Sequence, residues 1–165
     1  RKHWRRFHTG LGDFGLPSFR YMPVAIHGAQ PNEFGLSVAR PSSMALAHLL
    51  EHAEPDRTPI SNLPGNPPRF TKDVGRAIAL WWLAREQSSV AAEQWTEEWR
   101  ECLATLYPGN DSNMRRAAGI GLRSVADHLP AAHAIARSGV LAPHGTTLEA
   151  FRRAHLSFLD LIEVS

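Results

Sequence analysis

His48 and His52 have the residue types and the spacing of a metal-ligating pair. They belong to the stretch ALAHLLEHA, which contains the pattern H-x-x-E-H with Glu51 as the acidic residue. Residues four apart lie on one face of an α-helix, so both imidazoles could reach a single ion. This face is opposite the apolar positions Leu46, Leu49, Leu50 and Ala53, and we therefore expect both histidines to point away from the local core.

The same stretch resembles the zinc site of inverzincin metallopeptidases of the insulysin and pitrilysin type. The resemblance covers about nine residues and implies that His48 and His52 bind zinc. It also implies that Glu51 is the catalytic general base that activates a metal-bound water. The simpler interpretation is a solvent-exposed helix face with two histidines, and non-catalytic metal binding is a third alternative.

The N-terminus interleaves cations with aromatic residues over Arg1 to His8. Such a segment suits contacts with phosphates together with stacking on exposed bases. It predicts nucleic-acid binding, and four arginines further along could extend the surface if the third and last helices of the C-terminal part are neighbours. The predicted nucleic-acid-binding residues are Arg1, Lys2, Trp4, Arg5, Arg6, Arg115, Arg116, Arg152 and Arg153. The alternative is an unstructured terminus beside ordinary solvated helix faces.

Two other residues with reactive side chains are more typical of a core. Cys102, the single cysteine, lies in a stripe of tryptophans and leucines, which indicates a buried thiol. His155 lies among Phe151, Phe158 and Ile162, which indicates a core histidine with a hydrogen-bond partner. We find no Ser-His-Asp arrangement or glycine-flanked nucleophile.

The first part of the chain, residues 1–53, has the pattern of a basic arm, loops and one helix. Short extended runs are predicted at Tyr21 to Ile26 and at Phe34 to Ala39, with a short β-hairpin as one arrangement. A helix is predicted to begin behind Pro41, with Ser42 or Ser43 as its cap, and to end near Ala53. Residues 54–70 hold five prolines and a glycine, so they predict a surface loop.

Residues 71–165 have strong helical periodicity. Apolar side chains recur at helical spacing after Thr71, after Ser88 and Ser89, after Asn110, and again after Thr146, where Thr146 and Glu149 have the spacing of a capping box. Tryptophans form much of the expected core: Trp81, Trp82, Trp95 and Trp99. The pattern predicts a mainly α fold, an antiparallel bundle of about four or five helices after residue 70, in one compact domain overall.

Composition narrows the class of protein. The 165 residues, 43% of them hydrophobic and 21% charged, suit one globular domain, and no apolar run is long enough for a membrane span. A single cysteine fits a reducing compartment, so we expect a cytoplasmic protein without a membrane partner. The net charge is +2, and the basic N-terminus accounts for more than all of it.

These observations lead to one main hypothesis and one competitor. The main hypothesis is a non-enzymatic helical interaction module without a cofactor. It would be a subunit or fragment of a larger assembly that contacts nucleic acid and a protein partner. The competitor is a zinc-dependent hydrolase that uses His48, Glu51 and His52.

Overall fold

The computed structural model describes residues 4–9, 12–17 and 20–164, with side chains from Arg20 to Glu163. The described chain is mainly helical, which confirms the predicted fold class. The antiparallel order of a bundle and the division into domains stay predictions. The elements, in chain order, are β1 (Trp4–Thr9), β2 (Gly12–Pro17), α1 (Met22–Ile26), β3 (Gln30–Pro31), β4 (Ser37–Val38), α2 (Pro41–Glu51), α3 (Arg69–Gln87), α4 (Ala91–Leu106), α5 (Asp111–Ser124), α6 (Leu129–Arg137) and α7 (Leu148–Val164).

The N-terminal region contains two small antiparallel pairs of strands. β1 pairs with β2, with Trp4 opposite Pro17 and Thr9 opposite Gly12. β3 pairs with β4, which lies inside the predicted extended run Phe34 to Ala39. The basic segment therefore continues into a strand from residue 4 onward.

The predicted extended run Tyr21 to Ile26 is wrong, because Met22–Ile26 is the short helix α1. Pro23 lies in its first turn, where a missing backbone N–H breaks no intrahelical hydrogen bond. Val24 and Ala25 are buried, and α1 contacts α2 and α4. Tertiary packing thus selects a helix for a segment whose composition suggests a strand.

The helices after residue 68 follow the predicted apolar stripes. In α3 the buried positions include Phe70, Val74, Ile78 and Trp81, spaced by one helical turn. In α4 they include Trp95, Trp99 and Cys102, so the expectation of a buried thiol is confirmed, and burial raises its pKa to about 11. Trp82 is only partly buried and packs against the edge of the core.

An aromatic cluster joins α3, α4 and α7. Trp81 stacks on Phe158 with ring centroids 5.3 Å apart and an interplanar angle of 16°, and it meets Trp95 edge-on at 5.2 Å. Trp99 lies 5.8 Å from Phe158, and its indole N–H donates to the Ser42 carbonyl at 2.9 Å. These contacts hold the three helices together, since aromatic pairs of this kind stabilise beyond the area they bury.

Two of the predicted helix caps are wrong. Ser42 and Ser43 are buried inside α2, where Ser42 donates to the carboxylate of Glu98 and Ser43 to the carbonyl of His27. At α7 the Thr147 hydroxyl, rather than that of Thr146, accepts from the Ala150 amide at 3.2 Å. The capping-box spacing is therefore one residue out of register with the observed helix start.

Two glycines allow close packing of helices. A Cβ added at Gly121 in α5 would lie 3.0 Å from the His52 carbonyl oxygen, and one at Gly75 in α3 would lie 3.0 Å from that of Ala132. Glycine at these positions lets α5 approach the end of α2 and α3 approach α6. None of the described helices is long and apolar enough to cross a membrane.

Candidate functional site

The histidines of the H-x-x-E-H motif lie at the end of α2 and face α3. His52 follows the last residue of α2 and only 4% of its surface is exposed, while His48 is partly buried. The expectation that both point away from the core is therefore wrong, because α3 covers this side of α2. Glu51 is exposed to solvent.

Asp73 is the carboxylate that meets this pair. Its Oδ2 lies 3.2 Å from Nε2 of His52, and its Oδ1 lies 3.4 Å from the Arg76 guanidinium. Burial by itself would raise the pKa of Asp73, but the hydrogen bond from His52 and the nearby positive charges outweigh it and lower that pKa. The carboxylate is therefore ionised, so the Nε2–H of His52 donates to it.

The environment of His48 disfavours its charged form. Burial is the main cause that lowers the pKa of His48, and the neighbouring Asp73 charge only partly opposes it. Nδ1 of the His52 ring is buried and has no hydrogen-bond partner among the described residues. Within residues 20–163, no group of three His, Cys, Asp or Glu side chains is arranged to hold a metal ion. Metal binding by His48 and His52 stays a prediction.

A second site is a cavity of about 440 Å³, here called the arginine cavity, beside α4, α5 and the end of α7. Arg115 and Arg116, both predicted as nucleic-acid ligands, line it together with Arg100 and Arg123, which the sequence reasoning missed. The acidic residues in the lining are Asp111 and Glu163. The cavity therefore has an excess of positive charge.

The four arginines differ in how they are held. Arg123 pairs with Glu163 at 3.3 Å, and Arg100 pairs with Glu97 one turn earlier in α4. Arg116 donates to the side-chain oxygen of Asn113 at 3.2 Å, and Arg115 has no ion pair with any described residue. Exposed ion pairs of this kind are worth only about 0 to 1 kcal/mol, so a phosphate can compete with the carboxylates.

The spacing along α5 explains why Arg123 joins the site. Arg115, Gly119 and Arg123 are four residues apart and share one face of the helix. A Cβ at Gly119 would lie 3.0 Å from the Arg123 guanidinium, so the absence of a side chain there lets Arg123 lie along the helix. This signal was present in the sequence, whereas the approach of Arg100 depends on the packing of α4.

The structure separates the other predicted arginines from this cavity. α5 and α7 are neighbours, as the predicted extension required. However, Arg153 lines a different cavity together with Trp82, and it pairs with Glu149. Arg152 lies about 15 Å along α7 from Ile162, the residue of that helix that lines the arginine cavity.

The N-terminal residues predicted to bind nucleic acid cannot be placed relative to the cavity. Arg1 and Lys2 lie outside the described residues. Trp4, Arg5 and Arg6 lie in β1, and their side chains are outside the described part of the chain.

A cavity of about 700 Å³ lies between α3, α4 and α7, and is here called the α3–α4–α7 cavity. Sequence reasoning missed it, because its lining comes from separate stretches of the chain that only the packing of α3, α4 and α7 brings together. Arg100 lines both this cavity and the arginine cavity. The charged residues in its lining are Arg85, Glu93, Glu97, Arg100 and Asp160.

Comparison of the chain with known protein families, with curated proteins and with solved structures gives no match.

Proposed function

We propose that this chain is a non-enzymatic helical interaction module that binds the phosphate backbone of nucleic acid at the arginine cavity. The observation that carries the proposal is the convergence of Arg100, Arg115, Arg116 and Arg123 on one cavity of about 440 Å³. Guanidinium groups bind phosphate oxygens through two parallel hydrogen bonds, so an arginine-lined cavity suits a backbone phosphate. The basic N-terminal segment would add further phosphate contacts.

The test is binding of a fluorescently labelled single strand to the whole chain at several low salt concentrations. The double variant Arg115→Glu with Arg116→Glu should weaken binding strongly. It should also reduce the magnitude of the salt slope by about 1.4, since each lost phosphate contact on a single strand removes about 0.7. Loss of the contacts rather than loss of the fold is checked by an unchanged melting temperature.

The matched control is Arg57→Glu with Arg137→Glu, which changes the net charge equally at exposed positions outside both cavities. The variant Arg152→Glu with Arg153→Glu tests the two arginines of α7 that were also predicted to bind nucleic acid. Deletion of residues 1–8 tests the basic N-terminal segment. The proposal fails if no strand binds at low salt, or if the Arg115 and Arg116 double variant binds as tightly as the control.

Association with a protein partner in a larger assembly is supported by an exposed apolar segment. Phe34, Leu36 and Val38 are 77%, 64% and 52% exposed, and Asn32 holds the turn by accepting from the amides of Phe34 and Leu36. Sedimentation velocity tests whether a second copy is that partner. Self-association should be lost in Phe34→Ser and retained in Leu156→Ser, which removes an apolar side chain that is 60% exposed on α7.

A second candidate function, a zinc-dependent hydrolase, is supported by the buried, unpartnered Nδ1 of His52. An imidazole nitrogen without a hydrogen-bond partner is a group that a metal ion can bind, and Glu51 would then be the catalytic base. Metal analysis of purified protein should find stoichiometric zinc that is lost in His52→Ala and kept in Glu51→Gln. Trace zinc and no thermal shift on adding zinc would reject this candidate.

A further inference from the structure

Arg100 joins the two cavities into one surface. It lines both the arginine cavity and the α3–α4–α7 cavity. On α7, Leu161 lines the α3–α4–α7 cavity and the next residue, Ile162, lines the arginine cavity. Thr96, in the middle of the α4 wall, is only four residues from Arg100, which is about 6 Å along the helix. A ligand the size of a nucleotide can therefore contact both cavities at once.

The α3–α4–α7 cavity offers a stacking surface. The Arg85 guanidinium lies over the indole of Trp81, with its central carbon 5.9 Å from the ring centroid. Trp81 is 1% exposed, so the indole supports one side of an exposed guanidinium. Nucleic-acid bases stack on arginine planes as well as on aromatic rings, and the outer side of Arg85 fits this use.

The same cavity offers hydrogen-bond acceptors. Asp160 on α7 and Glu93 on α4 line it, and neither side chain has a hydrogen bond or ion pair with a described residue. The hydroxyl of Thr96 is already committed to the Ala92 carbonyl at 2.9 Å, and that of Ser88 accepts from the Val90 amide. Glu97, the third carboxylate in the lining, pairs with Arg100, so Glu93 and Asp160 are the carboxylates of this cavity without an ion pair.

The two cavities differ in charge, so we expect them to bind different parts of a nucleotide. Carboxylates repel phosphate, so Glu93 and Asp160 disfavour the backbone in the α3–α4–α7 cavity, while the arginine cavity attracts it. Carboxylates accept hydrogen bonds from exocyclic amines such as that of cytosine, whereas thymine presents an acceptor and a methyl group at the same place. The volume of about 700 Å³ lies within the range of ligand-binding sites.

We propose that the α3–α4–α7 cavity receives one base of a single-stranded nucleic acid and selects an amino-bearing base. The inference rests on the proposed function, since the phosphate next to that base occupies the arginine cavity. Arg85 stacks on the base, and Asp160 and Glu93 accept hydrogen bonds from its amino group.

The experiment compares three strands of equal length, made of cytosine, thymine or abasic nucleotides, by fluorescence anisotropy on the whole chain. The cytosine strand should bind about fivefold or more tightly than the thymine strand, which is the lower end for recognition of one base. The abasic strand should bind most weakly. The salt slope should be the same for all three, because the phosphates are the same.

The double variant Glu93→Gln with Asp160→Asn should abolish the cytosine preference, because each new amide presents a donor as well as an acceptor. Its matched control, Glu86→Gln with Glu101→Gln, removes two exposed carboxylates outside this cavity and should keep the preference. Melting temperatures show that both variants are folded. A preference that is lost only in the first variant, at an unchanged salt slope, supports the base site.

The two proposals fail in different ways. Equal binding of the three strands, with both cytosine and thymine binding weakened by Arg115→Glu and Arg116→Glu, rejects the base site and keeps the phosphate site. A cytosine preference that survives Glu93→Gln with Asp160→Asn also rejects the base site. Absence of binding by every strand at low salt rejects both proposals.

Discussion

At the end of α2, titratable side chains are buried against another helix, whereas along α5 arginines surround an open cavity. His52 is almost fully buried and bonds Asp73, while Arg115 has no ion pair with the described residues. The histidines of the H-x-x-E-H motif thus lie in a packed contact between helices, whereas the arginines of α5 line a surface that is open to a ligand. We therefore expect substitutions in the first region to change stability and substitutions in the second to change binding.

The largest effect on stability is expected for His52→Ala. It removes a buried ring and the hydrogen bond to the Asp73 carboxylate, and loss of a bond to a charged group costs about 2 kcal/mol. Urea denaturation should show this decrease in the free energy of unfolding. Glu51→Ala, in the same motif but exposed, should change it by less than about 0.5 kcal/mol. Equal effects of the two substitutions would contradict the assignment of His52 to packing.

A smaller loss is expected for Gly121→Ala, which probes the contact between α5 and the end of α2. The new Cβ would lie 3.0 Å from the His52 carbonyl oxygen and 3.2 Å from its Cβ. Such overpacking costs about 1 to 3 kcal/mol, but alanine is favoured over glycine inside a helix by about 1 kcal/mol, so the net loss should be smaller than for His52→Ala. Gly139→Ala is the control, because its nearest neighbouring atoms are 4.0 Å away. A gain in stability from Gly121→Ala would show that the two helices separate easily.

The pH dependence of stability should reflect the burial of two histidines, His48 on α2 and His155 on α7. Burial lowers the pKa of His48 and of His155, so both contribute stability that is present above the ordinary histidine pKa of 6.5. That stability is lost as the pH falls below this value toward the pKa of the folded state. Urea denaturation at pH 7.5 and 5.5 should show the decrease, and it should be smaller in His48→Gln. An identical pH dependence in the variant would contradict the burial of His48.

Below pH 4 we expect a second loss of stability, caused by protonation of Asp73. Its pKa is lowered from the ordinary value of 3.8, so its contribution is present above that value and disappears as the pH falls through the folded-state pKa. The variant Asp73→Asn should be less stable at neutral pH and should lose less on acidification. Acid titrations of both proteins, followed by circular dichroism, measure the difference.

The smallest effect on stability is expected at the arginine cavity. Arg115→Glu with Arg116→Glu should change the free energy of unfolding by less than about 0.5 kcal/mol, because Arg116 is exposed, Arg115 is only partly buried, and neither has an ion pair with a described residue. The same variant should have a large effect on nucleic-acid binding. A marked loss of stability instead would mean that this region is packed like the end of α2.

The long helices were predictable because their apolar spacing directly reflects the buried face. Val74, Ile78 and Trp81 define α3, and the observed helix begins within two residues of the prediction. The predicted extended run at Tyr21 to Ile26 was wrong, because six residues contain too little periodicity to distinguish a strand from a helix. Its helical state depends on the burial of Val24 and Ala25 against α2 and α4.

The candidate sites were predictable in part. Arg115 and Arg116 were identified, and the four-residue spacing could have added Arg123. Arg100 and Asp73 could not be assigned, because they reach their sites through the packing of α4 and α3. The predicted orientation of His52 was wrong for a related reason. Other elements cover α2 on two sides, and its single apolar stripe indicates only one of these two buried sides.

The aromatic cluster of Trp81, Trp95, Trp99 and Phe158 has a consequence for binding. It joins the same three helices that form the walls of the α3–α4–α7 cavity. Walls fixed by stacked rings are already in place before a ligand arrives, so little conformational entropy is lost on binding. Occupancy of this cavity should therefore leave the positions of the surrounding helices almost unchanged, with Glu93 and Asp160 carried on walls that are already in place.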